Sequence, residues 1–369
     1  MTSRVLHGNI LSESGWVHGR LTVGDRVEVV AGTPTDPSRN ADPYILPGFI
    51  DLHVHGGGGA DVSDGADAAE SVARLHARHG TTALTATTLT APQPELEEVL
   101  RQLGRVCHGR PAGAARVLGV HLEGPFINPG NLGAQPSHAR AASLEELERL
   151  CELAPIHILT IAPELRGHLE VISALAKRGM KVQVGHTAGS YDDGVAALAH
   201  GASGFTHLVN AMTGMHHREP GVVGAALAHA EYAELIPDLQ HVNPGSMRVA
   251  LRAIPRLFCV TDSTAAAGMP DGEYRLGSHT VTKYLGAVRL GDGTLAGSAL
   301  TMDQALRNLV SIGLTIADAS NRLSRYPADY LGLTDRGRLS PGAWADFVVL
   351  DRELRVMHVV GEGKELWAP

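Results

Sequence analysis

The sequence predicts an α/β fold, a (β/α)8 TIM-like barrel with a small β-sandwich domain built from both chain termini, and three observations predict it. Short apolar runs alternate with amphipathic stretches through the middle of the chain, eight such runs can be counted, and both ends turn to short alternating runs of another kind. The length of 369 residues supports this reading. A domain averages roughly 150 residues, so one large barrel and a smaller companion fit the chain.

The eight runs are 49–55 (FIDLHVH), 81–88 (TTALTATT), 117–123 (VLGVHLE), 157–163 (HILTIAP), 181–186 (KVQVGH), 204–207 (GFTH), 233–238 (AELIPD) and 257–262 (LFCVTD). Between them, stretches such as 66–79, 143–153, 169–178 and 194–200 space their apolar residues as helices packed on a parallel sheet do. The second run is rich in threonine and the sixth is short, so these two carry the weakest strand pattern. Before Leu46 and after about Arg336 the runs 19–23, 27–30, 347–350 and 356–359 read as strands of the sandwich. The expected division is 1–46 with 336–369 for the sandwich and 47–335 for the barrel. Chain termini commonly lie close together, which lets the two ends share one unit.

Apolar residues at 44% and charged residues at 19% place the chain among ordinary globular proteins. A net charge of −8 excludes a broad basic surface for nucleic acid or an acidic membrane, so any anionic substrate must be met locally. The opening MTSRVLHGNILSESG lacks the apolar stretch of a signal peptide, and no apolar run approaches a membrane span, so a cytoplasmic location is expected. Cys107, Cys151 and Cys259 lie far apart without a CxxC pair, which predicts buried reduced thiols rather than disulfides or a thiolate metal site.

Catalytic groups in such barrels project from the C-terminal ends of the strands. Here those ends carry His53 and His55 on the first run, Glu123 on the third, His186 on the fifth, His207 on the sixth and Asp262 on the eighth. Strand alternation puts both imidazoles of the HxH pair on one side, towards the interior. A lone histidine at any of these positions is as readily a hydrogen-bonded core residue. As a set they are hard to explain structurally, because burying that many polar groups unpartnered costs about 1 to 3 kcal/mol each. A divalent metal satisfies them. Imidazole and carboxylate without thiolate suit Zn2+ first, with Fe2+ or Mn2+ as alternatives. Such an ion lowers the pKa of water and polarises a carbonyl, which makes hydroxide attack on an amide feasible. Asp262 can take a proton from that water and return it to the departing amine.

At these residues the sequence resembles the amidohydrolase superfamily and, within it, the N-acetylglucosamine-6-phosphate deacetylase family. The resemblance runs nearly end to end, through LPGFIDLHVHGGGGADVSD (46–64), HGTTALTATTLT (79–90), GVHLEGPFINPGNLGAQ (119–135), VGHTAG (184–189), THLVNAMTGMHHREPGVVGA (206–225), HVNP (241–244), VTDSTAAAG (260–268), GTLAGSALTM (293–302) and GRLSPGAWADFVVLD (337–351). It implies hydrolysis of N-acetylglucosamine 6-phosphate to glucosamine 6-phosphate and acetate. It implies Glu123, His186 and His207 as the main metal site, with His53 and His55 allowing a second ion, so one or two per chain. By the same likeness Ala134, Gln135, Asn210, Ala211, His241, Leu295, Ala296 and Gly297 meet substrate. Arg218 would reach the phosphate from a second subunit, which implies a homodimer; a guanidinium suits a phosphate in an acidic protein. The alternative for Arg218 is a solvated pair with Glu219. His216 and His217 read as surface residues.

Two positions depart from the family pattern. Gln135 stands where the family has a histidine that helps polarise the scissile carbonyl, and a glutamine cannot become cationic. The family's Asp-Gly-x-His reads Asp238-Leu239-Gln240-His241 here, which removes a glycine beside the phosphate pocket. Three other readings remain open. They are a deacetylase of a related sugar such as N-acetylgalactosamine 6-phosphate, a cyclic amidase, and a barrel that binds sugar phosphate without chemistry. A cyclic amidase would carry a bridging lysine at a strand end, where this chain has Glu123.

Overall fold

The computed structural model describes residues 3–369. Eight parallel strands alternate with helices, and we label them β1 (Phe49–Val54), β2 (Thr81–Thr87), β3 (Arg116–Glu123), β4 (Ile156–Ile161), β5 (Lys181–Val184), β6 (Gly204–Phe205), β7 (Glu234–Leu235) and β8 (Phe258–Cys259). The first six form one curled sheet in the order β6-β5-β4-β3-β2-β1, and β7 pairs with β8. Backbone bonds bridge the gaps. Leu208 donates to the Glu234 carbonyl at 2.9 Å, and Asp262 donates to that of His53 at 2.9 Å, joining β7 to the end of β6 and the end of β8 to β1.

All eight runs expected from the sequence are strands. In the threonine-rich run two hydroxyls are bonded inside the barrel: Thr85 donates to the Leu52 carbonyl and Thr87 accepts from the Val54 amide. The interior is polar throughout this layer, with His121, Thr160, Thr206 and Gln183 hydrogen-bonded in a chain from β3 to β6.

Helices Ala66–Arg78, Leu144–Leu153, His168–Lys177 and Tyr191–Ala199 match the stretches read as amphipathic, and Ser190 caps the last through a reciprocal pair with Asp193. The helix Gly221–His229 carries no amphipathic signal because its residues 221–226 are all buried; a helix apolar on every side lies inside the protein.

Strands from both ends form a single seven-stranded sheet. It curls so that its edges meet: a Cβ on Gly363 would lie 2.3 Å from the Gly24 carbonyl oxygen. The sandwich expected from the termini is therefore one sheet folded over its own core, which holds Ile10, Leu21, Val27, Ile45, Phe347 and Val360. Tyr44–Pro47 belongs to this sheet and β1 begins at Phe49, so Gly48 is the junction with the barrel.

An antiparallel excursion of four strands, Gly272–Leu276, His279–Tyr284, Ala287–Arg289 and Leu295–Ser298, leaves the barrel after β8. Its apolar face packs Leu276, Val281, Val288 and Ala296 against Leu89. The cysteines depart from expectation. Only Cys259 is buried, Cys107 is half-buried and Cys151 is exposed, because β8 points into the core whereas the other two sit towards the ends of outer helices. All three are free thiols.

Candidate metal centre and active site

Glu123 ends β3 inside the barrel mouth, and its two oxygens face two different histidine pairs. Oε1 lies 3.1 Å from His186 Nε2 and 2.9 Å from His207 Nε2. Oε2 lies 3.1 Å from His55 Nε2 and 3.4 Å from His53 Nε2. Within each pair the ring nitrogens approach to 3.1 and 3.2 Å.

The far side of each ring fixes what the near side offers. Carbonyl oxygens only accept, so His186 Nδ1 must donate to Asn131 at 2.8 Å and His55 Nδ1 to Thr87 at 3.0 Å. Their neutral Nε2 atoms then carry lone pairs aimed at carboxylate oxygens. Lone pairs facing lone pairs at about 3 Å repel unless a cation lies between them. The two clusters, His53 with His55 and Glu123, and Glu123 with His186 and His207, each bring their ligand atoms within 4.8 Å of one another. The donor set fits a divalent metal.

The titration behaviour agrees. Burial alone lowers the pKa of His55, but Asp262 and Glu123 beside it push it up to about 9. His53, equally buried, is raised well above the ordinary imidazole range by Glu123, Asp262 and Glu234. Burial would raise Glu123, yet the surrounding imidazoles hold it well below the usual carboxylate range. Protons would take the cation's place in its absence.

Asp262 stands at the end of β8 with Oδ1 3.3 Å from His55 Nε2 and 3.4 Å from His53 Nε2. Burial raises its pKa, and the charges on His53 and His55 more than reverse that, so it is a carboxylate able to accept a proton. His186, His207 and Asp262 all have positive φ, at 47°, 29° and 50°. Backbone held there costs about 1 to 3 kcal/mol per residue and persists only where the surroundings fix it, which is common at functional sites.

His55, Glu123, His186, His207 and Asp262 floor a cavity of about 260 Å3 whose walls include Ala134, Gln135, Asn210, Ala211, His241, Leu295 and Gly297. His241 Nδ1 is bonded to Asp238 Oδ2 at 2.6 Å, and Asp238 outweighs burial in raising its pKa. A neighbouring groove of about 400 Å3 shares the Leu89 wall, but none of the clustered histidines lines it.

One expected cavity residue comes out differently, and two others gain detail. Ala296 does not line the cavity; it is fully buried in the core of the excursion, because it faces the opposite side of its strand from Leu295 and Gly297. Arg218 is exposed, bonded to His217 Nε2, and lines a separate cleft with Ser190, Tyr191 and Thr213. Gln135 points at Glu123 rather than standing free: its Nε2 donates to Oε2 at 2.6 Å while its Oε1 accepts from the Thr90 amide at 2.7 Å. Glu234, at the start of β7, was not anticipated. A charge inside the apolar run AELIPD was its only signal.

The chain matches the amidohydrolase family over residues 44–366. It is 37% identical to an N-acetylgalactosamine-6-phosphate deacetylase of Escherichia coli O157:H7 over 99% of both chains. It is 37% identical to an N-acetylglucosamine-6-phosphate deacetylase of Vibrio furnissii, covering 96% of this chain and 91% of that one. Among solved structures, an Asp-to-Ala variant of the N-acetylglucosamine-6-phosphate deacetylase of Mycobacterium smegmatis, in complex with N-acetylglucosamine 6-phosphate, superposes with a TM-score of 0.91 at 34% identity. That match covers 99% of this chain and all of that one. The Thermotoga maritima N-acetylglucosamine-6-phosphate deacetylase gives the same TM-score at 31% identity, with 99% and 100% coverage. With matches of this extent, on a barrel whose strand ends gather histidines and carboxylates, this chain belongs to the amidohydrolase family.

Proposed function

We propose that the chain hydrolyses the acetamide of N-acetylglucosamine 6-phosphate, releasing glucosamine 6-phosphate and acetate. The observation that carries this reading is the Asp262 carboxylate within 3.4 Å of a histidine and glutamate cluster fit for a divalent ion, at the floor of a cavity walled by His241 and Asn210. Glu123, His186 and His207 would hold a divalent ion, zinc foremost and Fe2+ or Mn2+ as alternatives, which would polarise the carbonyl and lower the pKa of water. Asp262 takes the proton that water loses and gives it to the sugar nitrogen, which leaves as an amine only when protonated. Gln135 keeps Glu123 in place and has one amide proton left for the acetyl oxygen.

His241, whose pKa Asp238 raises against the effect of burial, offers its Nε2 proton to the phosphate in its cationic form, with Asn210 and the Ala211 turn beside it. Arg218 supplies the remaining phosphate contact from a second subunit; its exposure, away from its own chain's cavity, supports this and hence a homodimer. A phosphorylated sugar does not cross membranes unaided, which supports a cytoplasmic location. No helix among the described residues is long and apolar enough to cross a membrane.

N-acetylgalactosamine 6-phosphate is the second reading, favoured by the identity to the Escherichia coli enzyme acting on it. The test measures acetate release from both epimers and from the unphosphorylated sugar. The expected result is rapid turnover of the glucosamine compound, abolished by chelation and reduced about 100- to 10,000-fold in Asp262→Asn. Faster turnover of the galactosamine compound would transfer the assignment to the second reading. No turnover of any of them by metal-loaded protein would refute both.

A further inference from the structure

One carboxylate lies beneath the metal cluster and outside the cavity. Glu234 is fully buried. Its Oε2 sits 3.0 Å from His53 Nδ1 and accepts the His207 backbone N–H at 3.2 Å. Its Oε1 has no hydrogen-bond partner. The nearest candidate, His121 Nδ1, is 3.9 Å away and is committed to the Leu52 carbonyl at 3.1 Å, while its Nε2 is bonded to Thr160. A half-satisfied carboxylate in a dry interior is expensive, so its charge must be balanced across the one ring it holds.

We propose that Glu234 is the positioning residue that makes His53 a metal ligand. By accepting the Nδ1 proton it selects the tautomer whose Nε2 lone pair faces Glu123 and His55, and so sets the affinity of a second divalent ion at that pair. Carboxylate-histidine-metal relays work in this way, and losing the outer carboxylate typically weakens metal binding about 10- to 100-fold. The same Oε2 also ties down the backbone of His207, whose φ is 29°, so one oxygen braces a residue of each histidine pair. The proposal builds on the metal-dependent reading above but needs no substrate to test.

The experiment counts zinc per chain after equilibration at graded free zinc, in the full-length protein and in Glu234→Met, Glu234→Gln and His53→Asn. The wild type is expected to hold two ions and His53→Asn one. Glu234→Met should lose the weaker ion with about a 10- to 100-fold rise in its dissociation constant. Glu234→Gln keeps an acceptor oxygen and should fall between them. Combining Glu234→Met with His53→Asn should add nothing, and nitrogen-15 spectra of labelled histidines should show His53 protonated at Nδ1 in the wild type. Two ions bound with unchanged affinity by Glu234→Met overturns the proposal, as does a single ion in the wild type. If Glu234→Met does not fold, unchanged second-ion affinity in Glu234→Gln together with an Nε2-protonated His53 in the wild type overturns it equally. Acetate release, measured separately on the wild type, reports on the substrate assignment alone.

Discussion

Gln135 shows how one side chain acquires its role from both of its ends. The Thr90 amide can only donate, so it fixes which end of the glutamine is oxygen and turns the NH2 towards Glu123. Gln135→Ala leaves the buried Thr90 N–H unpartnered and frees Glu123 Oε2. We expect a stability loss of about 1 to 3 kcal/mol, read by urea unfolding, together with a lower kcat. Unchanged stability would mean that Thr90 finds another acceptor. Leu239 makes the complementary point. It occupies the position where the family carries glycine, and its φ is 64°, so the backbone keeps a shape suited to glycine beneath an exposed leucine. The residue types of the metal cluster were legible in the sequence because few structural roles call for five N and O ligands at strand ends. Glu234 was not, because a single carboxylate inside an apolar run gives no hint of what it will face.

At the scale of elements, the excursion Gly272–Ser298 escaped the sequence reading because most of its strand residues are exposed or half-exposed, so no core pattern marks them. It nevertheless shapes the site. Its last strand passes so close to Asp262 that a Cβ on Gly297 would lie 2.9 Å from the Asp262 carbonyl oxygen and 2.7 Å from Thr264 Cγ2, and φ there is 59°. Gly297→Ala must therefore displace Asp262. A displacement of that kind costs about 100-fold in kcat, with metal content retained. Gly313→Ala is the control, also at positive φ but with open space around its Cβ, and should lose stability without losing kcat. Equal activity in both variants would remove the link between the excursion and catalysis. The strand count and the shortness of the sixth run were readable from the sequence, whereas the brevity of β7 and β8 was not. In β6 and β8 the backbone swings to positive φ soon after the strand to aim His207 and Asp262.

For the molecule as a whole, the seam between the terminal sheet and the barrel is an ion-pair network centred on Glu362. Arg116, at the start of β3, gives it two hydrogen bonds at 3.0 and 2.8 Å; Arg110 lies 3.3 Å away, and Arg336 bridges it to Asp346. Burial raises the Glu362 pKa, but the bonds from Arg116 and Arg336 outweigh it and bring it down to about 2. The folded value lies below the unfolded one, near 4.5, so the stabilisation is complete above about pH 4.5 and is lost as pH falls from there through about 2. Glu362→Gln should cost about 1 to 3 kcal/mol at neutral pH. Its deficit in melting temperature relative to wild type should shrink across that acid window. A deficit independent of pH would show that packing, not charge, joins the two parts.

The order of strands and helices, the sharing of one sheet by both chain ends and the histidines and carboxylates gathered at the strand ends followed from the sequence alone. Periodicity is a local property, and a divalent ion demands particular residue types wherever the chain carries them. The tertiary structure alone decided which oxygen of Glu123 faces which histidines, that Gln135 grips that carboxylate, that Ala296 turns away from the cavity, and that Glu234 backs His53. Each of these depends on distances of about 3 Å between residues far apart in the chain, and such distances are set by barrel closure and by backbone held at positive φ, neither of which leaves a periodic trace in the sequence.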